Sequence, residues 1–129
     1  AQLLGQFGMT MGRADIMGGL NVGWNNTEII PPTLNTIANT SNTYFVGFTS
    51  SGIPGNWTAR LYVYGSGLPN NGPNITVSGI STNPGVQHPL ALGLCGNFNT
   101  LYFNGVLDEV RLYNRALNDV EIGNLYAGP

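Results

Sequence analysis

From Trp57 to Tyr64 the chain alternates without a break: Trp57, Ala59, Leu61 and Val63 share one parity, and Thr58, Arg60, Tyr62 and Tyr64 share the other. Apolar residues at every second position cannot form one stripe on a helix, whose period is about 3.6 residues, so the segment predicts a half-buried β-strand. Comparable segments recur at residues 3–10, 19–24, 43–49, 74–80, 90–95, 100–103 and 106–113. Between them lie clusters that bend the backbone: Ile53-Pro54-Gly55-Asn56, Leu68-Pro69-Asn70-Asn71-Gly72-Pro73, Asn83-Pro84-Gly85 and Asn104-Gly105. The last of these suits either a two-residue hairpin turn or a tight bend between strands. Residues 30–42, with Pro31-Pro32 and repeated Asn and Thr, show no period and predict a surface loop.

One helix is specified near the end. Asn118 is placed to cap it, Glu121 three residues later completes a capping box, and Leu117 is placed to staple onto Ile122. The helix is expected from Asp119 to Tyr126, with Gly128-Pro129 stopping it. At 129 residues the chain has room for one hydrophobic core, so residues 1–129 predict a single all-β domain with one short C-terminal helix.

Composition narrows the function classes. Only 8% of the residues are charged, the net charge is −2, and the bases are arginines scattered at Arg13, Arg60, Arg111 and Arg115. Nucleic acid is excluded as a partner, because phosphate binding needs clustered cations. No apolar stretch approaches the roughly 18 residues that span a bilayer, so no membrane insertion is expected, and no secretory signal is read within the chain. A chain without lysine dissolves through amides, hydroxyls and backbone, which points to an extracellular, cell-surface or virion-surface protein. Cys95 stands alone in the apolar run Leu90-Ala91-Leu92-Gly93-Leu94 and reads as core filler.

The run Phe103-Asn104-Gly105-Val106-Leu107-Asp108-Glu109-Val110-Arg111-Leu112-Tyr113-Asn114-Arg115-Ala116-Leu117-Asn118, followed by Glu121-Ile122 and Leu125-Tyr126, resembles the closing signature of the laminin-G-like jelly-roll family. Upstream, Tyr44-Phe45-Val46-Gly47-Phe48 and Leu61-Tyr62-Val63-Tyr64-Gly65 resemble two further strands of that family, with Tyr64 where an aspartate is usual. The resemblance implies an antiparallel β-sandwich of the concanavalin A-like type. It also implies that the family's opening strands have no counterpart before Ala1, so that a strand-complementing chain or a homo-oligomer is expected to cover the open edge.

The candidate site residues follow from strand parity. Thr58, Arg60, Tyr62 and Tyr64 form the best carbohydrate platform, with aromatic rings to stack on sugars and a guanidinium to donate to hydroxyls; the alternative is that this face packs beneath another layer. Trp24, on a Gly- and Asn-rich flank, is a second ligand-binding candidate, whereas Trp57 is assigned to the core. Asp108 has the parity of Val106, Val110 and Leu112, and a carboxylate there needs a structural hydrogen bond, a partner such as Arg115, or a cation. Resemblance to related glucanases implies that the cation would be Ca²⁺ held by Asp108. Sequons occur at Asn25, Asn39, Asn56 and Asn74.

Catalysis is not expected. The related glucanases carry a Glu-x-Asp-x-x-Glu triplet on one strand, which this chain lacks, and His88 is the only histidine. The expected function is a non-catalytic carbohydrate-binding or adhesion module. The alternative is a structural assembly module, such as a capsid-decorating, fibre or cell-envelope subunit, whose partners are protein subunits.

Overall fold

The computed structural model describes the backbone of residues 8–11, 20–24, 27–33, 42–81, 94–95, 98–102 and 105–128, and the side chains of residues 42–81 and 105–128. The described chain is mostly β, with one helix. It groups into two compact units, residues 1–40 with 82–112 and residues 41–81 with 113–129.

In the first unit, β1 (Gly8–Met11), β2 (Leu20–Trp24) and β3 (Thr27–Thr33) form an antiparallel sheet in the order β1-β2-β3. β3 replaces the beginning of the loop expected at residues 30–42. Its two prolines are tolerated because the strand lies at the sheet's edge and the register slips across them: Val22 pairs with Ile30, but Leu20 pairs with Thr33. A proline has no N–H to give to a ladder, and a bulged edge asks for none. β7 (Leu94–Cys95) and β8 (Phe98–Tyr102) form a short antiparallel pair.

The second unit holds β4 (Phe45–Ile53), β5 (Asn56–Tyr64) and β6 (Ile75–Ile80), paired antiparallel with β5 in the centre. β4 and β5 meet at Ile53 and Asn56, so Pro54 and Gly55 alone make the turn. The proline ring presets its own φ, and Gly55 takes φ +81, which a side chain would disfavour. β5 differs from the half-buried strand that alternation predicts. Ala59, Leu61 and Val63 are fully buried, and so are Tyr62 and Tyr64 on the opposite face. Trp57, assigned to the core, is half-buried at the strand's outer end.

The cover over Tyr62 and Tyr64 is α1 (Asp119–Ala127), which begins as the capping box requires. The Glu121 N–H donates to Asn118 Oδ1 at 2.9 Å, and the Asn118 N–H donates to Glu121 Oε2 at 2.9 Å. Leu117 and Ile122, the expected staple pair, are buried together with Tyr62 and Tyr64, and Phe45 and Leu125 pack around them. Gly47 lies under this cluster: a Cβ there would press on the Phe45 ring at 3.3 Å and meet Ile122 Cδ1 in ordinary contact at 3.7 Å. Tyr64 stacks near Phe45 with centroids 5.7 Å apart and meets Tyr126 edge-on at 5.3 Å.

Residues 106–113 are not the strand that their alternation predicts. Glu109 takes φ +51, a left-handed conformation that interrupts any extended run. The segment is exposed throughout, with Val106 at 90% and Leu112 at 75% of full exposure.

Candidate functional site

Where α1 begins, it leaves part of the sheet uncovered. An open cleft of about 530 Å³ lies there, lined by Ser51 of β4, Arg60 and Tyr62 of β5, and residues 116–120 at the helix start. The β4–β5 hairpin register places its sheet side: Ser51 stands opposite Thr58, and Thr49 opposite Arg60. The capping box places the other side, because it fixes where the first turn of α1 begins and so where Asn118 and Asp119 stand.

Tyr62 joins the two. Its hydroxyl donates to Asp119 Oδ1 at 2.8 Å. Burial, followed by this bond to an acceptor that prefers the neutral phenol, pushes the Tyr62 pKa up to about 12. Burial also raises that of Tyr64, whose hydroxyl donates to the Gly72 carbonyl at 3.0 Å. The buried Thr49 hydroxyl has no hydrogen-bond partner among the described residues.

Charges around the cleft are unequal in their commitments. Arg115 grips Glu121 with both guanidinium nitrogens, at 2.9 and 2.7 Å, and chiefly this holds the Glu121 carboxyl at about 2. Among the described residues the other ion pair is Arg111 with Glu109, so Arg60 enters neither. Arg60 is half-buried at the cleft wall, and among the described residues no carboxylate pairs with it.

The expected platform of Arg60, Tyr62 and Tyr64 is therefore corrected. Tyr62 and Tyr64 are 0% and 1% exposed, because Leu117 and Ile122 press on that face, and their rings offer no surface for stacking. Arg60 keeps its place in the site, while Ser51, Asn118 and Asp119 join it. Ser51 was within reach of sequence reasoning, since a two-residue turn at Pro54-Gly55 dictates that it faces Thr58. Trp24 ends β2 and pairs with Thr27, but its side chain lies outside the described residues, as do those of Cys95 and His88 and the sequons at Asn25 and Asn39. Asn56 is exposed at the hairpin, whereas Asn74 accepts the Val63 N–H through Oδ1 at 2.7 Å.

Asp108 loses the strand position on which its aliphatic setting depended. It is exposed, and its Oδ1 accepts the Glu109 N–H at 2.8 Å, while Glu109 itself holds Arg111 at 2.7 Å. Among the described residues no three side chains of His, Cys, Asp or Glu gather as a metal site. Among the described residues no helix is long and apolar enough to cross a membrane.

No protein family, no curated protein and no solved structure matches the chain.

Proposed function

We propose that this protein is a non-catalytic carbohydrate-binding module of an extracellular, cell-surface or virion-surface protein, and that it binds sugar in the cleft between β4–β5 and the start of α1. The observation that carries this reading is Arg60, half-buried at the cleft wall and outside the ion pairs formed by the other described arginines. A sugar is a dense array of groups that both donate and accept. Arg60 offers donors, Asp119 an acceptor, and Ser51 and Asn118 both, with no aromatic ring required. Recognition here rests on hydrogen bonds across a hydroxyl-rich face and not on stacking. In this reading the strands belong to a larger antiparallel sandwich of the laminin-G-like type.

Support for the absence of catalysis comes from the commitments of the carboxylates near the cleft. Glu121 is locked by Arg115 and the Asn118 amide with no proton to give at neutral pH, and Asp119 accepts from Tyr62. The test is a glycan array followed by calorimetry on the wild type and on Arg60→Ala combined with Ser51→Ala. Binding is expected for the wild type and at least tenfold weaker for the variant, in line with the loss of about two hydrogen bonds, one of them charged. An array without hits, or a variant that binds as well as the wild type, would refute the proposal.

A second reading is favoured by one observation. Val106, Leu107, Val110, Leu112 and Tyr113 are all at least 49% exposed within eight residues of chain. A run of this kind suits a structural assembly module in which another protein subunit, or a second copy, covers these apolar side chains.

A further inference from the structure

The cleft opens onto the rest of the sheet face. Two polar rows cross the three strands there. In one, Ser51 faces Thr58 across the hairpin, and the Thr58 hydroxyl donates to Ser78 Oγ at 3.4 Å. In the other, Thr49 faces Arg60, and Arg60 faces Thr76. The next residues on the same face, Gly47 with Tyr62 and Phe45 with Tyr64, lie where the cluster built on α1 packs. The helix therefore covers one half of the face and stops where the hydroxyl rows begin.

Exposure grades along these rows. Thr49 is buried, Ser51, Thr58 and Arg60 are half-buried, and Thr76 and Ser78 are exposed. Strands lie about 4.8 Å apart and same-face neighbours along a strand about 6.8 Å apart, so the rows make a polar shelf of roughly 10 by 7 Å beside the cleft. An ordinary solvated strand face carries mixed charges; this one carries a single arginine among hydroxyls. A ligand unit held by Arg60 and Ser51 has a continuous path of donors and acceptors across Thr58 to Thr76 and Ser78.

We infer that the site takes an internal stretch of a polysaccharide chain laid across β4, β5 and β6, and not a single terminal sugar. This rests on the carbohydrate reading given above. One unit occupies the cleft, and the following units lie on the shelf, where each meets hydroxyls at strand spacing.

The experiment is calorimetric titration with glucose-, mannose-, galactose- and N-acetylglucosamine-based saccharides from monosaccharide to hexasaccharide, using the wild type and the Thr76→Ala, Ser78→Ala double variant. Both positions are exposed, so the variant is expected to fold, and circular dichroism checks that it does. Affinity is expected to rise about tenfold or more between monosaccharide and tetrasaccharide, and the double variant is expected to lose most of that rise while keeping its monosaccharide affinity. Binding that does not depend on length, or a rise that survives in the double variant, overturns the inference and leaves the carbohydrate reading standing. Absence of binding at every length overturns both.

Discussion

Tyr62 and Asp119 stand 57 residues apart in the chain, and the phenol of one donates to the carboxylate of the other at 2.8 Å. The bond fastens the first turn of α1 to the central strand at the edge of the cleft. It couples the stability of the unit to the shape of the proposed site, because the elements that carry Arg60 and Asn118 are held at their spacing by it.

Removing this bond gives the first prediction. Tyr62→Phe should destabilise the protein by about 1–2 kcal/mol in urea unfolding, the loss associated with one hydrogen bond to a charged acceptor. The same residue sets an alkaline signature. Its folded pKa, about 12, lies above the ordinary value of 10.0, so the folded state holds the proton longer than the unfolded chain does. Its contribution is complete below about pH 10 and is lost as pH rises through 12. Stability of the wild type should therefore fall across that window, and Tyr62→Phe should lessen the fall. Equal slopes for the two proteins would contradict the assignment.

The capping box predicts an acid signature of opposite sign. Glu121 is depressed from 4.5 to about 2, first by the bond from Arg115 and then by the Asn118 amide. Its contribution is present above pH 4.5 and is lost as pH falls toward 2. In a carboxyl-detected NMR titration, Arg115→Gln should return the Glu121 midpoint toward the ordinary carboxylate range. A midpoint that does not move would mean that the ion pair is not formed in solution. Asn118→Ala should independently cost about 1 kcal/mol as a lost helix cap.

Packing under the helix predicts a sharp contrast between neighbours. Ile122 is 4% exposed and belongs to the tyrosine cluster, whereas Val120 is 71% exposed. Ile122→Ala should cost about 2–5 kcal/mol, and Val120→Ala should stay within about 0.5 kcal/mol. Thermal denaturation of the two variants distinguishes them.

The surroundings of Asp108 predict indifference to metal. Its Oδ1 serves the Glu109 amide, and Glu109 serves Arg111. Removal of divalent cations with a chelator, or Asp108→Asn, should leave saccharide affinity at the cleft unchanged. A loss of affinity that calcium restores would return Asp108 to a metal-binding role.

Exposure of residues 106–113 predicts self-association under the assembly reading. Sedimentation velocity over a concentration series should reveal a complex for the wild type. Leu112→Asp, at a residue that is 75% exposed, should dissolve it without unfolding the chain.

Local chemistry was readable in advance. Asn118 and Glu121 announce their helix because both halves of the capping box lie within four residues, and Pro54-Gly55 announces its turn because each residue restricts or releases its own φ. Alternation placed the centres of β5 and β6 for the same reason: the period of a strand is a property of consecutive residues. What alternation cannot carry is the identity of the neighbour on each face. Parity left Tyr62 and Tyr64 either on an open platform or on a face packed beneath another layer, and Leu117 and Ile122, more than fifty residues later, decide for the second by closing over them. Residues 106–113 carry Val106, Val110 and Leu112 on one parity, yet a strand exists only when another backbone accepts its hydrogen bonds, and Glu109 turns this one aside. The amino-acid order by itself determined the cap, the hairpin turn and the polar character of the sheet face around Arg60. The tertiary structure alone decided which half of that face is sealed under α1 and which half faces solvent, because burial is a relation between segments distant in sequence.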